Sequence, residues 1–256
     1  MNNILDKLPE YDYLYLGDNA RAPYGTRSFE TVYRYTLECV KWFFSQGCEL
    51  VILACNTASA KALRTIQQND LPQIAPDKRV LGVIRPTSEI IGTYSETKSV
   101  GILATNGTVS SQSYPIEIEK FFPGIRVYQE ACPMWVPLVE NNEYDGHGAD
   151  YFIKKHIHQL LKREPRIDTI LLACTHYPLL LKKITEYTPV DIKILTQGEI
   201  AAVRLTDYLR RHPEMETRLS KNGSRIFYTT DSTEDFDNHA TTFYGKSLQS
   251  KHVDLA

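Results

Sequence analysis

The sequence contains no Gly-x-Gly-x-x-Gly fingerprint and no Walker-type phosphate loop. Nothing therefore points to a dinucleotide or nucleoside triphosphate held in the usual cradles. His-Glu-x-x-His and Cys-x-x-Cys are also missing, as is the tight ligand spacing of a structural zinc site, so no metal is expected. No block of Lys or Arg stands out and the formal net charge is −2, which gives no signal for nucleic acid as a partner. No apolar run approaches the roughly 20 residues of a membrane span. The N-terminus lacks a basic-then-apolar secretory pattern. Five cysteines, an odd number without close pairs, fit a reducing compartment. The expectation is a cytoplasmic protein with no membrane partner.

What remains is ordinary globular material: 256 residues, 42% hydrophobic and 23% charged. That length suits one large α/β domain or two small ones. Short apolar runs alternate with helical stretches, the mark of parallel α/β sheets. Strands are expected at 11–17, 50–54, 80–84, 99–104, 125–130, 169–173, 192–195 and 225–229. Helices are expected at about 28–46, 57–68, 150–162, 179–188, 198–211 and 234–244, with another opened by Pro86. Ser28 is a plausible N-cap for the first of these, and Gly47 ends it. Residues 71–78 and 105–108 read as loops.

Two stretches organise the chain. Leu50 to Ser59 reads Leu-Val-Ile-Leu-Ala-Cys-Asn-Thr-Ala-Ser, and Thr169 to Pro178 reads Thr-Ile-Leu-Leu-Ala-Cys-Thr-His-Tyr-Pro. Each places a cysteine, Cys55 or Cys174, where a buried strand gives way to a helix. Parallel sheets bind ligands at such strand ends. The unpaired N–H groups of a helix start favour a thiolate. Two thiols in equivalent settings suggest two related lobes sharing a cleft, although free cysteine is also among the most buried residue types. Cys39, Cys48 and Cys132 show no polar constellation and read as packing residues.

Four motifs in order, Gly-Asp-Asn-Ala-Arg-Ala-Pro-Tyr-Gly at 17–25, Ala-Cys-Asn-Thr-Ala-Ser at 54–59, Thr-Asn-Gly-Thr at 105–108 and Ala-Cys-Thr-His-Tyr-Pro at 173–178, resemble the bacterial glutamate racemases. These are cofactor-independent members of the aspartate/glutamate racemases. The resemblance implies an α/β fold of two pseudo-symmetric parallel-sheet, flavodoxin-like lobes with the active site between them. The lobes would be 1–85 with 190–256, and 86–189. It implies interconversion of L- and D-glutamate for peptidoglycan synthesis, without cofactor, in a homodimer. Cys55 would take the α-proton from D-glutamate and Cys174 from L-glutamate, with His176 assisting. Tyr24, Gly25, Asn56, Thr57, Thr108, Thr175, His176 and Glu140 would bind substrate.

The chemistry suits those residues. Inversion at one carbon needs a base on one face and an acid on the other. A thiol, with an ordinary pKa of about 8.5, can serve as either. Plainer roles stay open: Asn56 and Thr57 as helix caps, Tyr24-Gly25 as a turn, Glu140 as a solvated loop carboxylate and His176 as a capping side chain.

The pattern departs from the family in two places. Glutamate racemases begin with a strand ending in Asp-Ser-Gly, and nothing before Tyr11 matches it. Thr196 stands where the family usually has Asp. The first departure carries the expectation that the chain from Met1 lacks a strand of the first lobe, with weak activity and stability. The alternatives are an inactive or ligand-binding remnant, and a related aspartate racemase.

Overall fold

The computed structural model describes residues 1–255. Its strands are β1 (Tyr13–Gly17), β2 (Leu50–Leu53), β3 (Arg79–Gly82), β4 (Ser99–Ala104), β5 (Arg126–Ala131), β6 (Thr169–Ala173), β7 (Lys193–Thr196), β8 (Arg225–Thr229) and β9 (Ser250–His252). Two compact units divide the chain. The first comprises Met1–Leu53, Ala62–Leu81 and Gly198–Ala256, and the second Ala54–Lys61 and Gly82–Gln197. The short segment that carries Cys55 thus packs with the second unit.

The second unit is built on a parallel sheet of order β5-β4-β6-β7. Its two central strands are buried along their whole length, which explains their unbroken apolar sequences. Their side chains alternate between two cores. Leu103, Ile170 and Leu172 face one core with Ile153, Ile157 and Leu160 of the helix His147–Arg163. Val100, Ile102, Ala104, Leu171 and Ala173 face the other, with Tyr114 and Ile118 of the helix Ser113–Phe121. This period of two is what fixes the register.

The first unit holds a parallel sheet β1-β8-β9 and a separate pair, β2-β3. Tyr13 of β1 and Leu50, Ile52 and Leu81 of the pair all pack on one cluster around Leu8, Tyr11, Leu205 and Leu209. Helix Phe29–Ser45 buries Val32, Thr36 and Val40, which recur at helical spacing on one face. Phe29, in the first turn, is 52% exposed. Ser28 caps the helix by accepting a bond from the Thr31 N–H at 3.2 Å, and Gly47 follows with φ of +83°. Ser28→Ala is expected to cost about 0.5–2 kcal/mol, measured as a lower urea midpoint with unchanged slope.

Several boundaries differ from the sequence reading. Residues 105–108, expected as a loop, open the helix Asn106–Ser111, because the Thr105 hydroxyl accepts from the Thr108 N–H and caps it. The single helix expected over 57–68 is instead Asn56–Lys61 and Leu63–Thr65, followed by a wide turn at Ile66–Asp70. Part of the expected 71–78 loop is helical, at Leu71–Ile74. Ile84, expected at a strand end, begins the helix Ile84–Ser88, so Pro86 falls in its first turn, where no N–H is needed. Among the described residues no helix is long and apolar enough to cross a membrane.

Candidate active site

Cys55 and Cys174 each lie just beyond the carboxyl end of a strand, β2 and β6 respectively. Both belong to the second unit. Cys174 is 8% exposed, and Cys55 is half-buried. The Cys174 sulfur is close enough to act on the ionisation of Cys55.

Cys55 occupies the start of the helix Asn56–Lys61, and its carbonyl accepts from the Ser59 N–H at 2.9 Å. The expected support for a thiolate is present, as the sulfur meets the N–H groups of Ala58 and Thr57 and the Thr57 hydroxyl. Burial nevertheless dominates. It raises the Cys55 pKa, the nearby Cys174 adds to the rise, and the donors offset only part of it. The thiol is therefore mostly protonated at neutral pH, which suits an acid more readily than a resting base.

Cys174 has a relay. His176 Nδ1 lies 3.8 Å from its sulfur, and His176 Nε2 is paired with Glu140. Burial acts most strongly on the imidazole and pulls its pKa down. The bonds to Cys174 and to the Glu140 carboxylate overcome that, and the ring is pushed up to about 10. His176 is accordingly a cation at neutral pH, held between a sulfur and a carboxylate. Glu140, which closes the helix Trp135–Glu140, is exposed and anchors the outer end of the relay. Thr175, between the cysteine and the histidine, is exposed.

Thr57 and Thr108 come together with a third hydroxyl that the sequence reading passed over. Thr57 Oγ1 is 2.9 Å from Thr105 Oγ1 and 3.5 Å from Thr108 Oγ1, and Thr105 donates to Thr108 at 3.2 Å. All three are buried. The N-cap signature of Thr105 before Asn106-Gly107-Thr108 was the signal that could have found it. Asn56, 3% exposed, is bonded to Gln197 and Tyr114. No spacing in the sequence marks that pair.

Tyr24 and Gly25 lie in the first unit, on the loop after the short turn Asn19–Arg21. The Tyr24 hydroxyl donates to Asp18. Burial, followed by that bond, raises its pKa, so it stays a neutral phenol. Asp18 also accepts from Arg21 Nε at 2.9 Å and Thr230 Oγ1 at 3.0 Å, which fixes the loop. Cys39, expected to have only apolar company, receives Arg21 Nη2 at 3.7 Å. Cys132 is fully buried in the core, as a packing residue should be.

Set beside known proteins, residues 1–205 match the sequence profile of the Asp/Glu/Hydantoin racemases. A glutamate racemase of Dinoroseobacter shibae is 36% identical over 97% of this chain and 92% of that protein. One of Geobacter metallireducens is 34% identical over 97% of this chain and 88% of that protein. The crystal structure of a Bacillus anthracis glutamate racemase superimposes with a TM-score of 0.89 at 30% identity, covering 99% of this chain and 92% of that one. The Francisella tularensis glutamate racemase, solved with D-glutamate, gives 0.86 at 29% identity, covering 99% and 91%. The chain belongs to the Asp/Glu/Hydantoin racemase family.

Proposed function

We propose that this chain interconverts L- and D-glutamate by proton transfer through two thiols, without cofactor. The observation that carries the reading is the pair of strand-end cysteines in one compact unit, one of them tied to an imidazolium–carboxylate relay. Cys55 removes the α-proton of D-glutamate and Cys174 that of L-glutamate. The opposite thiol delivers a proton to the other face. Each turnover leaves the two sulfurs with exchanged protonation, which solvent and the relay restore. His176, cationic below about pH 10, stabilises negative charge near Cys174 and can return a proton to it. Tyr24, Gly25, Asn56, Thr57, Thr108, Thr175 and Glu140 are proposed as substrate-binding positions. Donors at the α-carboxylate stabilise the charge that develops at the α-carbon.

The reading extends to a homodimer working in the cytoplasm and supplying D-glutamate for peptidoglycan. Five free cysteines agree with a reducing compartment. The test is deuterium uptake at the α-carbon in D2O, followed by NMR with glutamate and aspartate in parallel. Uptake with both glutamate enantiomers and little with aspartate supports the reading. Uptake with aspartate alone would replace it.

A further inference from the structure

Asn56, Tyr114 and Gln197 close a ring of three hydrogen bonds inside the second unit. Asn56 Nδ2 donates to Gln197 Oε1 at 2.6 Å, Gln197 Nε2 donates to the Tyr114 hydroxyl at 2.7 Å, and that hydroxyl donates to Asn56 Oδ1 at 2.7 Å. The members come from three distant stretches: the turn after Cys55, the helix Ser113–Phe121 and the start of the helix Gln197–Arg211. Asn56 and Tyr114 are almost wholly buried.

The sense of the ring is fixed from outside it. The second hydrogen of Gln197 Nε2 is directed at the Val83 carbonyl, 3.0 Å away, and is shared with Thr87 Oγ1 at 3.2 Å. A carbonyl only accepts, so the nitrogen end of the Gln197 amide must face Val83. Its oxygen then faces Asn56, which must present its own nitrogen there. The Asn56 oxygen is left to Tyr114, which must donate. Reversing any one bond would oppose two oxygens or two N–H groups in a buried site, an outcome costing the desolvation of both.

Asn56 thus has one amide orientation and one rotamer. The ring uses one of the two Nδ2 hydrogens, and the other makes no bond among the described residues. We infer that Tyr114 and Gln197 are positioning residues for the reaction, holding the Asn56 amide so that its second N–H is a fixed donor to a substrate carboxylate beside Cys55. The inference rests on the racemase reading. It adds two residues that touch no substrate and act through a third. A donor held in place before substrate arrives needs no reorientation during the reaction, which is where such groups gain their effect.

Tyr114→Phe removes one hydroxyl at nearly constant shape, and Gln197→Leu removes the amide that sets the sense. Each is expected to lower kcat/KM for both glutamate enantiomers by about 10- to 100-fold, as misplacement of a substrate-holding group does. The decisive comparison is with Asn56→Ala. In the double variants Asn56→Ala/Tyr114→Phe and Asn56→Ala/Gln197→Leu, the second change should alter kcat/KM by less than about twofold, because its route of action has gone. A purely structural role would instead give additive losses, tracked by equal falls in melting temperature, and that result overturns the inference. Full activity in both single variants overturns it too. The two variants change different elements, so one that fails to fold leaves the other to decide. A parent enzyme that neither racemises nor exchanges glutamate would bring down the racemase reading and this inference together. An active parent with additive cycles would bring down this inference alone.

Discussion

Replacing either Cys55 or Cys174 by alanine should reduce racemisation of glutamate by about 10²–10⁴-fold or more, the usual worth of a positioned acid or base. Both losses should be of this order although the two sulfurs sit in different surroundings. Inversion needs a proton removed from one face and another added to the opposite face, and neither thiol can serve both. The enantiomers have equal free energy, so kcat/KM must fall by the same factor in both directions whichever cysteine is changed. The two variants differ elsewhere. Any α-proton exchange left in Cys55→Ala should be confined to L-glutamate, which faces the surviving Cys174. In Cys174→Ala it should be confined to D-glutamate. Initial rates by circular dichroism, with deuterium uptake by NMR, read both quantities. Near-parent racemisation in either variant would show that a single base suffices.

The second large effect is expected at Glu140. Glu140→Gln removes the carboxylate partner of His176 Nε2 while keeping the shape. His176 is a cation below about pH 10 because its bonds to Cys174 and Glu140 outweigh burial. A raised pKa means that the charged form is held as pH rises, up to that value. Without the carboxylate, burial has more weight and the cation is lost at lower pH. The alkaline limb of kcat should therefore move down in pH, and the rate at pH 8 should fall by about ten- to a hundredfold, part of the full contribution of an acid–base group. At pH 6 parent and variant should lie closer together. NMR titration of the His176 ring gives the pKa directly, and a ring that titrates unchanged in Glu140→Gln would contradict this account of the relay.

The β4 and β6 strands and the two strand-end cysteines were legible because all of the signal is local. An unbroken apolar run marks each of these strands, and at the ends of β2 and β6 a Cys followed by polar residues marks the candidate site within ten residues. Ser28 and Gly47 were legible for the same reason, since caps are nearest-neighbour chemistry. The helix at Asn106 was missed because Asn-Gly reads as a turn when its Thr105 cap is not weighed. The broken course after Lys61 was missed because no Gly or Pro marks it. At the site, nothing local shows that Glu140 reaches His176 across 36 positions, or that Gln197 reaches Asn56 across 141. Such pairings are made by the tertiary fold and leave no periodicity behind. The ionisation of Cys55 is only half legible for a related reason: the favourable helix start is visible in sequence, whereas the burial that outweighs it is not.

The most direct test of two thiols on two faces is the isotopic content of product and substrate during the first tenth of the reaction in D2O. With L-glutamate as substrate, the D-glutamate formed should carry deuterium at its α-carbon in every molecule. The L-glutamate remaining should still carry protium, because the thiol formed at Cys174 holds only the proton it removed and returns that same proton if the step reverses. D-glutamate that retains the original proton would mean one group carries it from face to face, and would contradict the two-base account.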